Sequence, residues 1–446
     1  MRGLGAGAAP AHFTADFRET PWWWEAAPPA PASGAEPPAS ADVVVVGSGY
    51  TGLHAAIETA RAGHATVVLD AGALGAGCST RNGGQVSTSV KPSFAALARR
   101  LGEAGAARTL ARGPASLAHV AGFVRGEGIE CDFAAVGRYH AAHTARAWRR
   151  LAASAARPNP VFDEAMRLVA REDQRAELGS DAYAGGAVFP HHASLDPARY
   201  HAGCVAVARR AGAALVDRCA ALSLAPAGER GVRVTTARGP ILARRVVIAT
   251  NGHTGGLTPW LRRRVVPIGS YVIATEPLAA DLMDRVMPTM RVVSDTRRLV
   301  YYYRPSPDRT RVLFGGRVSL AETDCRRSGA RLVAELRRLF PELGDVRASH
   351  SWSGTVAYTF DTLAHVGRRE GVYHALGYCG SGVGMAGYSG AETGRAVAAD
   401  LAGRAPEDGF ADASARAFPT RPLYRGRPWF LAPSVLAYRA LDALGR

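Results

Sequence analysis

Three glycines and one acid carry the first chemical signal: Gly47, Gly49 and Gly52, spaced as G-x-G-x-x-G, with Asp70 beyond them. Glycines at this spacing let a backbone turn tightly, approach a pyrophosphate and pack a helix close to a strand. A helix starting here offers free N–H groups and partial positive charge to that pyrophosphate. An acid about 20 residues on can accept from a ribose hydroxyl. The elements needed to position these groups are legible on either side. Asp42-Val43-Val44-Val45-Val46 is a continuous apolar run of the kind found in buried parallel strands. Leu53, Ala56, Ile57 and Ala60 recur at helical spacing, and the pattern stops at Gly63. Thr66 to Leu69 reads as a second buried strand that ends on Asp70. Together they make a βαβ unit that binds a dinucleotide; the competing reading is a Gly-rich turn in another α/β domain.

After Asp70 the chain does not run on into more of the same sheet. A Gly-rich loop, Gly72 to Gly77, leads into Cys78-Ser79-Thr80-Arg81-Asn82-Gly83-Gly84-Gln85. Paired glycines beside Arg and Asn suit a loop whose backbone runs close to a second part of a long ligand. Lys91 stands out by internal contrast, because it is the one lysine among 54 basic residues. Lysine offers a compact charge or a tunable amine that arginine cannot replace. Its place just after this loop makes it a candidate neighbour of ligand or substrate, set against an ordinary surface lysine.

On these residues the chain resembles the D-amino-acid-oxidase-like (glycine oxidase/sarcosine oxidase) flavoproteins, in which an R-N-G-G segment follows the first βαβ unit and contacts FAD. The likeness is greatest to the gamma-glutamylputrescine oxidase branch. Further segments extend it. Arg245-Val246-Val247-Ile248-Ala249-Thr250-Asn251-Gly252 looks like the family's late FAD-contacting strand. Tyr301 to Pro305 with Val312 to Arg317 looks like its substrate-domain hairpin. Gly377-Tyr378-Cys379-Gly380-Ser381-Gly382-Val383-Gly384 looks like the loop and helix start that return to the flavin ring. The resemblance implies FAD contacts at Gly47, Gly49, Tyr50, Thr51, Gly52, Asp70, Ala71, Ser79, Arg81, Asn82, Gly83, Gly84, Gln85, Val216, Thr250, Asn251, Gly252, Gly380, Ser381, Gly382 and Val383.

The same resemblance implies the reaction. A small amine or amino acid loses hydride from the carbon beside nitrogen to flavin N5, the imine hydrolyses, and dioxygen reoxidises the flavin to give hydrogen peroxide. Only one dinucleotide fingerprint is present in the sequence, so electrons should come from the organic substrate rather than from a nicotinamide. Lys91 would assist oxygen reduction or repel ammonium. Strand alternation puts Tyr302 and Arg304 on one face, with Tyr301 and Tyr303 on the other. Tyr302 would donate a hydrogen bond to substrate, and Arg304 would bind a carboxylate or pack on aromatics. Trp352 and His365 flank a segment like the family's approach to the flavin, which makes His365 an acid/base residue or flavin contact, set against a structural histidine. Sarcosine oxidases tether flavin through a cysteine whose position is Gly354 here, so FAD should be non-covalent, with Cys78 and Cys379 as packing residues. Ser381 stands where many relatives have histidine, and Gly384 near where amino-acid oxidisers carry lysine, which favours an amine, or an amino acid held by Arg304.

At 446 residues the chain can bury a large core in more than one domain. The expected fold is α/β (α+β overall): a discontinuous Rossmann-like FAD-binding domain with an inserted antiparallel-sheet substrate domain. Segments 41–100, 185–263 and 362–405 are expected in the first, and 101–184 and 264–361 in the second. Residues 1–40 form a Pro/Ala-rich arm in which Trp22-Trp23-Trp24 is expected to be extended and docked on the body, and 406–446 a C-terminal extension. Net charge is +16, but the arginines are scattered in twos and threes without a basic tail, so nucleic acid is not an expected partner. Six cysteines at no metal-ligand spacing indicate free thiols and a cytoplasmic setting, and no apolar stretch is long enough to span a bilayer. The nearest competing function is a dehydrogenase passing electrons to a quinone or protein. Others are a protein that keeps FAD without turnover and a nicotinamide-dependent dehydrogenase, which the Arg81 to Gln85 segment opposes.

Overall fold

The computed structural model describes residues 11–157, 159–229, 231–316 and 324–444, so Arg317 of the expected hairpin lies outside the described residues. The βαβ unit is present as strand Ser40–Val46, helix Tyr50–Arg61 and strand Thr66–Leu69. Val43, Val44 and Val45 have no exposed surface: Val43 and Val45 pack under helices Tyr50–Arg61, Pro197–Arg210 and Gly382–Leu401, and Val44 packs on the other face with Leu261, Val265 and Ala357. Its centre runs Val372–Leu376, Gly239–Ile248, Ser40–Val46, Thr66–Leu69 and Ala214–Val216, with every neighbouring pair parallel. Antiparallel strands Val232–Thr236 and Ala221–Pro226 extend it on one side, and His365–Arg369 pairs with Val372–Leu376. Helix Gly382–Leu401 packs along Tyr50–Arg61.

The second sheet has nine strands among the described residues. In order they are Phe13–Arg18, Ala348–Thr359, Val265–Thr275, Val312–Gly316, Tyr302–Pro305, Val292–Asp295, Arg138–Ala141, Gly186–Phe189 and Arg167–Val169. The hairpin read from the sequence is there, with Tyr302 opposite Gly315 and Arg304 opposite Leu313. One face of this sheet packs Tyr139, Tyr271, Ile273, Val293, Tyr303 and Phe314 against Leu332, Val333, Leu336 and Leu339 of helix Cys325–Leu339. Alternation then turns Arg138, His140, Ser294, Tyr302 and Arg304 to the other face, toward the nucleotide-binding half.

The structure departs from the sequence reading in four places. The N-terminal segment is not merely an arm, since Phe13–Arg18 pairs in parallel with Ala348–Thr359 as an edge strand. Trp22–Glu25 is a turn of 3-10 helix rather than extended chain, and Trp23 is buried to 1% exposure. Strand Gly186–Phe189 lies in the nine-stranded sheet, paired with Arg138–Ala141, inside the 185–263 span read as nucleotide-binding. Helix Phe94–Glu127, interrupted at Gly102, sends Val120 and Val124 into the core of the nucleotide-binding half, although 101–184 was read as substrate domain. Local pattern identified the elements, but their sheet membership depends on partners far away in sequence.

No helix among the described residues is long and apolar enough to cross a membrane. His54 is buried where helices Tyr50–Arg61, Phe94–Glu127 and Pro197–Arg210 meet, and shares hydrogen bonds with Tyr200 Oη (3.0 Å) and His119 Nε2 (3.2 Å). Burial disfavours the charged imidazoles, lowering His119 to about 4 and His54 well below its usual value. An unfolded histidine binds its proton near pH 6.5, so between there and about 4 the unfolded chain carries more protons. This contribution to stability is complete above pH 6.5 and is lost as pH falls. The melting temperature is therefore expected to drop between about pH 6.5 and pH 4, less steeply in His119→Asn. A profile unchanged by that substitution would contradict the assignment.

Candidate active site

The carboxyl ends of the parallel strands converge on Asp70. Its backbone N–H donates to Val216 (3.0 Å), its Oδ2 accepts from Ser48 N (2.9 Å) and Ser48 Oγ (2.6 Å), and its Oδ1 accepts from Gly72 N (2.9 Å). The acid thus lies against the glycine turn, with Ala71 exposed beside it. At Gly52 a Cβ would sit 1.8 Å from the Gly47 carbonyl oxygen, so only glycine lets the helix start this close to the turn. The first helical N–H, from Tyr50, points at Ser79 Oγ (3.0 Å), and Tyr50 Oη donates to the Ser79 carbonyl (2.5 Å). Thr51 Oγ1 pairs with Tyr378 Oη at 2.6 Å, which ties the helix start to the Gly377–Gly384 segment. Asn251, in a 3-10 turn just after strand Gly239–Ile248 and Thr250, accepts from Gly377 N (2.9 Å), while Gly252 abuts Thr355. Early, middle and late segments therefore meet around one turn.

The loop from Cys78 to Gln85 crosses to the nine-stranded sheet and is held by side chains from distant segments. Three indole N–H groups bind three consecutive residues: Trp24 to Thr80 Oγ1 (3.0 Å), Trp352 to the Arg81 carbonyl (2.8 Å) and Trp23 to the Asn82 carbonyl (3.0 Å). Asn82 closes the turn by donating to Cys78 and Ser79 carbonyls and accepting from Gly84 N (2.9 Å). Arg81 stacks over Trp24 and donates to the Ala76 and Ser353 carbonyls. Gln85 reaches the Val293 and Tyr303 carbonyls at 3.4 Å. Gly84 has φ +67° and a Cβ there would lie 2.1 Å from the Leu195 carbonyl oxygen.

Tyr302 lies across this loop. Its ring is 3.2 Å from where a Cβ on Gly83 would stand, it covers Gly315, and its hydroxyl pairs with Ser270 Oγ at 3.0 Å. Burial pushes the phenol up to about 12, so it is protonated at neutral pH and able to donate. Lys91 is exposed, with Nζ 5.5 Å from the Tyr358 ring centre and Cε 4.0 Å from the Cβ position of Gly380. Ser381 Oγ donates to the Ser89 carbonyl (2.9 Å), and Gly382 and Val383 begin the helix that follows. Gly83, Tyr302, Lys91, Gly380 and Ser381 thus line the junction of the two halves. Cys78, with Sγ between Thr355 N and O, and Gly354 lie beside Arg81.

Two expected catalytic residues are placed otherwise. Arg304 is 2% exposed and donates to the carbonyls of Pro305 (3.1 Å), Gly84 (3.3 Å) and Leu195 (3.0 Å). Its Nε and Nη1 are taken by backbone carbonyls, so it anchors the loop rather than presenting a free fork. His365 is buried, bonded to Asp361 at 3.0 Å and stacked on Phe418 with ring centres 3.9 Å apart, which makes it structural. Sequence reasoning missed Arg138, His140, Ser270 and Tyr358, which reach the junction from three separate strands. The alternation Arg138-Tyr139-His140 was the available signal, but no motif connects it to the glycine loops.

The residues present fit a dinucleotide whose far end passes the Arg81–Gly84 loop, since the glycine turn is backed by an acid and a helix N-terminus. If Arg304 and the indoles hold that loop as described, Gly84→Ala should destabilise by about 3 kcal/mol or more, through a backbone clash. Trp23→Phe, which loses the indole N–H and part of the buried ring, should cost about 1–2 kcal/mol. Urea unfolding of both variants checks this; equal costs would contradict it.

The comparisons agree with this geometry. The model of the FAD dependent oxidoreductase family, DAO, matches residues 42–396. The chain is 33% identical over 412 residues to the probable oxidoreductase OrdL of Rhizobium meliloti, covering 90% of this chain and 92% of that one. It is 30% identical over 349 residues to the gamma-glutamylputrescine oxidoreductase of Escherichia coli, covering 77% and 80%. Among solved structures it shares a fold with glycine oxidase from Geobacillus kaustophilus (TM-score 0.65, 19% identity, 83% and 96% covered). It does so equally with iminodiacetate oxidase from Chelativorans sp. BNC1 (TM-score 0.65, 20% identity, 83% and 98% covered). The fingerprint, the clamped loop and the match across most of the sequence have one conclusion: the chain belongs to the DAO family of FAD-dependent oxidoreductases.

Proposed function

We propose that this protein oxidises the C–N bond of a small amine or amino acid and uses dioxygen as the electron acceptor. The observation that carries the reading is the junction itself: the glycine turn and the Arg81–Gly84 loop lead to a polar sheet face bearing Tyr302 and Ser270, with Lys91 alongside. Bound FAD would accept a hydride from the carbon beside nitrogen and later pass the electron pair to dioxygen, giving hydrogen peroxide. Water then hydrolyses the imine product to a carbonyl compound and the released amine or ammonia. The names of the gamma-glutamylputrescine oxidoreductase and iminodiacetate oxidase relatives support nitrogen-bearing substrates.

Each residue has a task in this reading. Gly47, Gly49 and Gly52, with the N-terminus of helix Tyr50–Arg61, would hold the pyrophosphate, and Asp70 the ribose. The loop Ser79–Gln85 and the segment Gly380–Val383 would flank the ring system, and Val216, Thr250, Asn251 and Gly252 would complete the cradle. Gly354 carries no thiol, which supports non-covalent FAD. Tyr302, protonated and fixed by Ser270, orients the substrate through a hydrogen bond. Lys91 places positive charge at the junction, which favours the neutral, reactive amine over ammonium and assists reduction of dioxygen. Unpaired cysteines support a cytoplasmic setting.

The test is an anaerobic absorbance titration of purified protein with amines and amino acids, followed by air. Yellow protein that bleaches with one substrate class, then recovers with peroxide, is the expected outcome. Bleaching without recovery in air would replace dioxygen by another acceptor, and failure to bleach with any amine would overturn the reading. Lys91→Met should slow recovery in air by about tenfold or more; unchanged reductive and oxidative steps would remove Lys91 from the mechanism.

A further inference from the structure

We infer that the C-terminal segment around helix Leu431–Ala443 is a docking surface for an anionic lipid bilayer, on which the protein rests without crossing it. This role goes beyond the amine-oxidising reading and does not depend on it. Trp429, Pro433, Leu436, Ala440 and Leu444 are all exposed and recur every three or four residues, so they form one stripe along the helix. Phe430 and Leu444, at the two ends of the helix, both have right-handed helical backbone, which carries the stripe through its full length. Trp429 is 69% exposed and Leu444 68%, and Leu423, in the loop before them, is 84% exposed. One exposed apolar side chain is ordinary, but several large ones on one element mark a contact surface.

The segment is fixed to the body by its other side. Val435 is buried, and the Asp442 carboxylate accepts from the backbone N–H groups of Arg298 (2.9 Å) and Leu299 (3.3 Å). Tyr424, also buried, donates to the Val265 carbonyl (2.6 Å), and Phe430 packs on it with ring centres 5.8 Å apart. The stripe is therefore held outward on a rigid mount, where its apolar surface meets water.

Charge selects the partner. Between residues 413 and 446 the sequence has six arginines and one acid, Asp442, whose carboxylate is turned to backbone. Arg425 and Arg427 are exposed, Arg262 abuts Gly426, the Arg263 carbonyl accepts from Thr420, and Arg298 lies 5.9 Å from the Tyr438 ring centre. None of these five arginines forms an ion pair among the described residues. Exposed arginines elsewhere do: Arg175 with Asp181 and Glu342, Arg285 with Asp281, and Arg347 with Glu276. An apolar stripe beside uncompensated arginines matches a lipid interface, where Trp and Leu enter the headgroup boundary and Arg meets phosphate. A second copy of this chain is the poorer partner, because self-pairing through this patch would bring like charges together. No helix among the described residues is long and apolar enough to cross a bilayer, so the contact is peripheral.

The experiment floats the purified, FAD-loaded full chain with phosphatidylcholine vesicles, with or without phosphatidylglycerol as roughly one-third of the lipid. Binding to the anionic vesicles should be about tenfold or more tighter than to neutral ones, and should weaken as salt rises. The double variant Arg425→Glu with Arg427→Glu should weaken it by about tenfold or more, and Trp429→Ala with Leu436→Ala by about tenfold. Both should keep the wild-type flavin spectrum in the absence of lipid, since all four side chains are exposed. No binding at low salt, equal binding to neutral and anionic vesicles, or an affinity unchanged in either double variant would overturn the inference. In a protein that leaves vesicles unbound, a dimer dissolved by Trp429→Ala with Leu436→Ala would give the stripe to a second copy. Retention on polyglutamate in such a protein would give the patch to an acidic protein. Should a variant not fold, the wild type carries the test, and an affinity for anionic vesicles that is flat with salt would overturn the inference.

Discussion

The loop from Cys78 to Gln85 has one short 3-10 turn of its own, so most of its backbone polar groups must find partners elsewhere. The partners come from three directions. The N-terminal turn supplies Trp23 and Trp24, strand Ala348–Thr359 supplies Trp352, and strand Tyr302–Pro305 supplies Arg304. The loop can therefore hold one conformation only when both halves of the molecule are assembled around it. Asn82 and Gly84 allow the turn locally, but its position is set by those distant donors. This dependence explains why an N-terminal segment rich in Ala and Pro carries a run of three tryptophans, two of which donate to the loop.

The second organising constraint is the two-sided character of the nine-stranded sheet. One face is sealed by the apolar side of helix Cys325–Leu339, and strand alternation leaves the opposite face polar. That polar face meets the nucleotide-binding half, where water is partly excluded and charges act strongly. Its members answer burial in different ways. Tyr302 stays protonated, His140 stays neutral, and Arg304 surrounds itself with carbonyls. Arg138 keeps its charge with one hydrogen bond, and the site acquires a positive character beside Lys91.

Arg304 and His365 show why residue type and spacing do not settle a role. An arginine on the right face of the right strand looked available for a ligand, but the Gly84 and Leu195 carbonyls reach it first. A histidine near a late loop proved to be locked by Asp361 and Phe418, the second of which lies 53 residues on. Arg138 is the converse. It stands in a strand of four residues with no motif around it, and its partners, the Phe189 ring and the Ser89 hydroxyl, neighbour it only after folding.

The features legible in residue order are local: the strand–helix–strand unit around Gly47 to Asp70, the glycine loop, the Tyr302–Gly316 hairpin and the polar/apolar alternation within it. These depend on backbone sterics and on hydrophobic periodicity, which act over a few residues and are written in residue order. Folding sets the rest: which sheet each strand joins, that Trp23, Trp24 and Trp352 grip one loop, and that Arg304 binds backbone carbonyls while Arg138 Nε has no partner. The reason is that hydrogen-bond satisfaction and desolvation depend on which groups are brought within about 3 Å of one another, and that proximity is a property of the assembled chain.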